Sequence, residues 1–509
     1  MGKKYFIGID SGTQSTRVII FDEQGKQICK GVGKHPPLIH DQLNWAEHGE
    51  YDAWYGLCEA TRSALDQFQG ERKDIVAIGL SSQRGTVMAV DREGHPLQRP
   101  ISWMDARMAM EMSPMPEDCD PWYKFCRFYS KANWCKVHRP EAFEAAYKWL
   151  TIGGYLGYRL CGVYKDTISN QTGAWPVDRE NWCLEKEDWP YECVGIRRDQ
   201  MAEMVFPGEL LGKVTTDGAK LTGFPEGCPV YACMGDKQCE ALGAGVIHPG
   251  QSYITLGTSV QLSLVGDKML SSPNRNFLTY LCYQPKIYQY EASLVKGYWL
   301  VSWFREQLAK DLEGGAKAID TNVEALLDME AQKVPAGSAG LITVPDWQGP
   351  RNRANAKGVM LGFDERHGRA HMFRSLVEGI SMALKVTTDV MCDEIGTPIT
   401  SLRIGGGGSR SQVAMQSTAD IFNIPTVRVH TSETCSLGAA ICAAVGSGAY
   451  SGFQEAVDRM VGDNITDIFQ PDPENHQLYE GLMDKVYRKI YPMMSPVFDD
   501  LLALTKDHK

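Results

Sequence analysis

YFIGIDSGTQSTRVIIFD, residues 5–22, is the stretch from which the fold is read. An apolar run ends at Asp10, a small polar segment follows, and a second apolar run ends at Asp22 before the turn residues Glu23, Gln24 and Gly25. Two such runs joined by a Gly-Thr-Ser-rich turn predict a β-hairpin. A P-loop or a Rossmann turn would open a helix on its own glycine spacing, and neither spacing fits. The loop instead offers Gly12, where backbone can approach a ligand closely, with Thr13, Gln14 and Ser15 as donors. Successive N–H groups in such a turn form an anion-binding nest. Arg17 adds a permanent charge suited to phosphate, and Asp10 a hard oxygen suited to hydrated Mg²⁺. Taken alone, the segment reads equally as an ordinary hairpin turn.

The pattern returns at 252–266, where SYITL, GTS and VQLSLVG repeat strand, turn and strand around Gly257 and Thr258. A third cluster, GGGGSRS (405–411), follows the strand-like SLRI and precedes the helix-like QVAMQSTADIF. Its Gly407, Gly408 and Ser409 would let a flat base or ribose lie directly on backbone. ETCSLGAAICAAVGSG (433–448) predicts a helix whose small residues permit close packing. IVAIGLSSQ (75–83) and GTVMAVD (85–91) read as strands, and 300–312 and 371–396 as amphipathic helices. Strand pairs mixed with long helices indicate an α/β fold. The repeated hairpin divides the chain into two halves of related build, residues 1–247 and 248–509. Their boundary falls at 245–250, where GAGVIHPGQ gathers small and turn residues.

The rest of the composition narrows the function. The 509 residues carry a formal charge of −11 with no basic block, which argues against a nucleic-acid partner. Fifteen cysteines without a CxxC pair argue for reduced thiols in a cytoplasmic chain rather than a disulfide or zinc framework. No stretch approaches the ~18 apolar residues of a membrane helix, so no membrane partner is expected. The first apolar run turns polar at Asp10, too early for a signal peptide. Asp236, in YACMGDKQCEALGAG, stands at a strand end just before the second hairpin. It reads either as a general base toward a hydroxyl or as the cap of the helix that follows.

Together these segments resemble the FGGY family of carbohydrate kinases, over about residues 5–490 and in the family's motif order. The opening segment is similar to the first phosphate motif, WMDAR (103–107) to the family's W-x-D-x-R segment, and KANWCK (131–136) to its K-x-x-W-x-K stretch. MGDKQCEALGAG resembles the catalytic segment, LGTS the second phosphate motif, and GGGGSRSQVAMQSTADIFNIP with ETCSLGAA the adenosine motif. Departures fall at Phe363, Leu376 and Ala414, the last standing where a tryptophan is usual. The resemblance implies two RNase H-like domains facing a central cleft, as in actin-like ATPases. Sugar would be bound mainly by the first domain and ATP with Mg²⁺ mainly by the second, with Asp236 catalytic. A small-molecule sugar or polyol is the expected partner, and a homodimer is one expectation for assembly.

The sugar loop, LSSQRGTVMAV (80–90), keeps a glycerol-kinase-like Gln83-Arg84 but has Gly85 where glutamate belongs. Losing that buried acceptor should make glycerol a poor substrate and leave room for a ketopentose, a pentitol or a tetritol-sized polyol. Gln83, Arg84, Trp103, Asp105 and Asp236 are the expected substrate-binding residues. Trp103 reads as core or as a wall of the sugar pocket, Asp105 as a hydroxyl ligand or the partner of Arg107, and Lys237 as a substrate contact or the partner of Glu240. Alternatives are a kinase of a small signalling polyol or furanone, a glycerol kinase, or an actin-like or chaperone-like ATPase without sugar.

Overall fold

The structure is a computed structural model that describes residues 3–110, 115–117, 119–170, 175–349, 353–462 and 465–505. The opening hairpin forms as the sequence predicts. Strand β1 (Tyr5–Ser11) pairs antiparallel with β2 (Ser15–Asp22), which sets Asp10 opposite Arg17. β3 (Gln27–Lys34) extends the antiparallel side, while β4 (Ile75–Ser82) pairs parallel with β1 on the other side. β5 (Leu210–Lys213) and β6 (Pro229–Gly235) complete a six-stranded sheet in the order β5-β6-β4-β1-β2-β3.

The second sheet repeats this plan. β7 (Gln251–Leu256) and β8 (Val260–Gly266) form the second hairpin, and β9 (Leu278–Leu281) and β10 (Tyr288–Leu294) continue it antiparallel. β11 (Ser401–Gly405) and β12 (Thr426–Val429) run parallel on the far side of β7, with β13 (Ile465–Phe469) at the edge. In both sheets a strand that opens on a hairpin has antiparallel strands on one side and parallel ones on the other. This is the duplicated layer order that the resemblance implies.

Both faces of the first sheet are covered, so its strands are apolar on both sides rather than alternating. Tyr5, Ile7 and Ile9 of β1 pack with helix α1 (Asp52–Gln67), while Phe6 on the opposite face packs with the distant segment 435–461. Helix α2 (Asp236–Gly243) follows β6 directly. In the second half, α3 (Arg369–Ile395) and α4 (Gln412–Phe422) form where helical periodicity predicts them. Thr388, polar on the apolar stripe of α3, is nevertheless buried.

Helix α5 (Thr434–Gly446) departs from a simple two-part division: sheet membership changes between β6 and β7, yet α5 belongs in sequence to the second half and packs on the first sheet. Glycines permit the approach. A Cβ at Gly8 would lie 1.8 Å from the Ser436 carbonyl oxygen, and one at Gly79 1.9 Å from that of Ala439. Against α2 the fit is reciprocal: a Cβ at Gly243 would lie 1.9 Å from the Thr434 oxygen, and one at Gly438 2.1 Å from that of Cys239. No side chain fits in these spaces. Gly438→Ala should therefore destabilise the protein by roughly 1–3 kcal/mol through overpacking. Gly315→Ala, in a short helix with no atom within 4 Å of the added carbon, should gain about 0.5–1 kcal/mol. Urea unfolding of both variants measures this; equal midpoints would refute the packing account.

Candidate functional site

The two hairpin turns are built alike. Gly12 N–H donates to the Ser15 carbonyl at 3.0 Å, and Gly257 N–H to the Ser259 carbonyl at 3.2 Å. At each glycine a Cβ would stand 3.4 Å from that same carbonyl, and Gln14, Thr258 and Ser259 are exposed. Both turns therefore lie at the surface and share one internal backbone bond. The second turn is also held from behind. Gly257 O accepts from Tyr298 N, and Thr258 O from Gly297 N. In the third glycine cluster, Gly407 faces open space while Gly408 lies flat on the Tyr298 ring, where a Cβ would come within 2.5 Å of ring carbon. The Ser409 hydroxyl turns inward and donates to Gly406 O at 2.8 Å.

A ring of hydrogen bonds ties the sugar loop to the first phosphate turn. Trp103 Nε1 donates to Thr13 Oγ1 at 2.9 Å, and Thr13 Oγ1 donates to Gln83 Oε1 at 2.9 Å. Thr86 Oγ1 donates to the same Gln83 oxygen at 3.1 Å and accepts from Trp103 N at 3.1 Å, closing the ring. Gln83 Nε2 donates to Gly12 O and to His48 Nε2, each at 3.3 Å. The buried Gln83 amide is therefore fully engaged in positioning the phosphate turn. The sequence suggests a substrate ligand at this position, and in the fold the Gln83 amide bonds to Thr13, Thr86, Gly12 and His48. The Thr13 hydroxyl is likewise bonded to protein partners, Gln83 and Trp103. Trp103 is 56% exposed and therefore not core.

Asp105 pairs with Arg107, one of the two readings that its sequence position allows. Its side chain is wholly buried, with Arg107 Nη2 at 2.6 Å, Arg107 Nε at 2.8 Å and Ala46 N at 2.7 Å. Glu47 bridges Arg107 and Arg139, and Lys131 Nζ reaches the Asp105 carbonyl at 2.8 Å, its pKa pulled down to about 8 by burial. The W-x-D-x-R segment is thus an ionic frame that holds Trp103 at the surface.

The charged centre lies where β1, β6 and α2 meet. Asp236 occupies the first turn of α2, whose N-terminal dipole favours a carboxylate. Its Oδ1 accepts from Lys237 N at 2.9 Å and lies 3.5 Å from Arg84 Nε. Lys237 Nζ pairs with Glu240 Oε1 at 2.6 Å, and Glu240 Oε2 accepts from Thr255 Oγ1 at 2.6 Å. The acid-bearing helix is thereby bonded to the strand that carries the second phosphate turn. Arg17 pairs with Asp10 at 3.1 Å and approaches Glu433 at 3.8 Å, so its charge is shared with protein carboxylates and not reserved for phosphate. Burial pushes the Asp10 carboxyl up to about 6 against the pull of Arg17, and the nearby Asp236 and Glu240 charges push the same way. Among the described residues no group of three or more His, Cys, Asp or Glu could hold a metal ion, so Asp10 offers at most the single carboxylate that a largely hydrated Mg²⁺ accepts.

Comparison with known proteins agrees along the whole chain. The N-terminal domain of the FGGY family of carbohydrate kinases matches residues 5–243, and its C-terminal domain residues 252–447. The chain belongs to this family of carbohydrate kinases. An uncharacterized sugar kinase of Escherichia coli (strain K12) is 36% identical to it, across 96% of this chain and 94% of the relative. A xylulose kinase of Bacillus subtilis (strain 168) is 27% identical, across 96% and 97%. The crystal structure of xylulose kinase from Rhodospirillum rubrum superimposes with a TM-score of 0.83 at 23% identity, covering 97% of this chain and 100% of that one. The kinase accordingly has the two-domain α/β fold of actin-like ATPases. Among its described residues, no helix is long and apolar enough to cross a membrane.

Sequence reasoning missed Glu291 as a neighbour of Arg84. The two are 207 residues apart and meet only because β10 is placed against the sugar loop. His48 and Glu433 carry no such signal in the sequence either, although Glu433 opens the segment ETCSLGAA. Asp10 gives this kinase a testable pH dependence. Its folded pKa of about 6 exceeds the ordinary 3.8, so its contribution to stability is fully present below about pH 3.8 and is lost as pH rises through about 6. Asp10→Asn should gain on the wild type by up to about 3 kcal/mol between roughly pH 4 and pH 7. Denaturant unfolding at several pH values reads the gap; a gap constant with pH would overturn the burial argument.

Proposed function

We propose that this kinase transfers the γ-phosphate of ATP to a hydroxyl of a neutral ketopentose, pentitol or tetritol-sized polyol, with Asp236 as general base. The placement of Asp236 carries the reading. It stands at a helix N-terminus, bonded through Lys237, Glu240 and Thr255 toward one phosphate turn and electrostatically close to Asp10 beside the other. Asp236 Oδ1 is occupied by Lys237 N, which leaves Oδ2 to take the substrate proton. The hydroxyl oxygen then forms a bond to the γ-phosphorus as the bond to the β-phosphate oxygen breaks and ADP leaves. The turns at Gly12 and Gly257, with the glycines at 407 and 408, hold the nucleotide through backbone. Mg²⁺ held at Asp10 would supply charge neutralisation at the transferred group. Names among the relatives, sugar kinase and xylulose kinase, support a small sugar as acceptor.

Asp236→Asn should leave ATP binding nearly intact while turnover falls by ~10²–10⁴, the range of general-base catalysis. Coupled ADP release against a panel of ketopentoses, pentitols and glycerol, with nucleotide titration beside it, makes the measurement. Near wild-type turnover in the variant would remove Asp236 from the chemistry, and a wild-type preference for glycerol would overturn the substrate assignment. Gln83→Leu should raise the KM for ATP through the loosened turn, with the KM for sugar much less affected. Equal effects on both would contradict the assignment of Gln83 to the phosphate turn.

A further inference from the structure

We propose that Glu291 sets the charge selectivity of this kinase: by holding Arg84 neutralised across the cleft, it makes the sugar pocket accept uncharged polyols and ketoses and reject sugar acids. The inference deepens the phosphoryl-transfer reading and rests on it.

Glu291 projects from β10, in the second half of the chain, and makes a two-pronged pair with Arg84 of the sugar loop. Arg84 Nη1 and Nη2 donate to Glu291 Oε1 and Oε2, each at 2.8 Å. Gln289 Nε2 donates to Glu291 Oε1 at 2.7 Å, and the guanidinium lies over the Tyr280 ring, 4.1 Å from its centroid. The side chains are 12% and 6% exposed, so the pair is held away from bulk screening. Burial alone would disfavour the arginine charge, but Glu291, Tyr280 and Asp236 more than offset this and hold its pKa above the ordinary value.

Arg84 is within reach of substrate because Asp236 is. Its Nε lies 3.5 Å from Asp236 Oδ1, and its aliphatic stem rests on Gly235, where a Cβ would come within 2.4 Å of Arg84 Cγ. An unpaired guanidinium at this point would be a ready ligand for a substrate carboxylate. Here both of its terminal nitrogens already face a protein carboxylate, and Asp236 lies beside them. Of the described groups at this point, a sugar acid would meet the two carboxylates of Glu291 and Asp236 and an arginine already paired. A neutral sugar hydroxyl can instead donate to Glu291 Oε2, which accepts from Arg84 and keeps a second lone pair. Glu291 thereby supplies an acceptor beside Arg84 without an acid at position 85. Gly85 has φ +70°, and a glutamate there would be strained by about 1–2 kcal/mol.

The experiment compares pentitols and ketopentoses with aldonates of the same carbon number, by isothermal titration and by ADP release. Wild type should favour the neutral set by roughly 10- to 100-fold or more, the scale of a charge-assisted hydrogen bond gained or left unmade. Glu291→Gln keeps an oxygen toward Arg84 but frees the charge, and should shift that preference at least ~10-fold toward aldonates. Glu291→Asp keeps the charge and should keep the preference. Adding Arg84→Gln to Glu291→Gln should abolish the gain in aldonate binding. A wild type that binds aldonates as well as neutral sugars overturns the proposal, as does a Glu291→Gln variant, folded by circular dichroism, with unchanged preference. If that variant fails to fold, the wild-type ratio and Glu291→Asp decide. Absence of turnover with every compound counts against phosphoryl transfer, whereas the binding preference decides the role of Glu291 by itself.

Discussion

The close contact between helix α5 and the first sheet is the constraint on which the rest depends. α5 comes late in the chain, yet its backbone rests on Gly8 of β1, Gly79 of β4 and Gly243 of α2, at distances that exclude any side chain. The strands it touches end at the site: β1 at Asp10 and Ser11, β4 just before Gln83, and α2 begins at Asp236. One helix therefore sets the relative heights of the first phosphate turn, the sugar loop and the candidate base. It also links the halves, because Glu433 at its start approaches Arg17 and pairs with Lys30. Interiors packed at crystal-like density transmit such placement with little give.

Above that floor the site is joined by polar chains rather than apolar contacts. The ring through Trp103, Thr13, Gln83 and Thr86 couples sugar loop and phosphate turn within the first half. The chain from Lys237 through Glu240 to Thr255 couples the candidate base to the phosphate turn of the second half. Hydrogen bonds in a poorly solvated cleft are costly to leave unmade, so each fixes its partners' geometry. Phosphoryl transfer asks chiefly for positioning and electrostatic complementarity, and these chains are suited to provide the first.

Charge in the cleft is arranged in mutually satisfied sets. Asp105, Arg107, Glu47, Arg139 and Lys131 form one behind Trp103, Arg84 and Glu291 form another, and Asp10, Arg17 and Glu433 a third. Asp236, with one carboxylate oxygen bonded to Lys237 N, is less fully enclosed and remains the candidate for the proton-transfer step. That arrangement separates charges committed to protein partners from the candidate base, a distinction that residue type alone does not reveal.

The sequence by itself determined the α/β class, both hairpins with their glycine turns, helices α3 and α4, the FGGY resemblance and the salience of Asp10 and Asp236. All of these are local: an alternation of apolar runs, a glycine where backbone must approach, an acid at a strand end. The pairing of Lys237 with Glu240 was also legible, because helix geometry puts residues three apart side by side. Tertiary structure alone decided which polar side chains are consumed by neighbours. Gln83, Thr13, Arg17 and Asp105 look like ligands in the sequence, yet each has hydrogen-bonding groups committed to protein partners in the fold. Glu291, unremarkable within YQYEASL, becomes the partner of Arg84. Donor and acceptor capacity is written in the residue type, but its occupancy depends on which distant strands and helices the packed core brings within 3 Å or so.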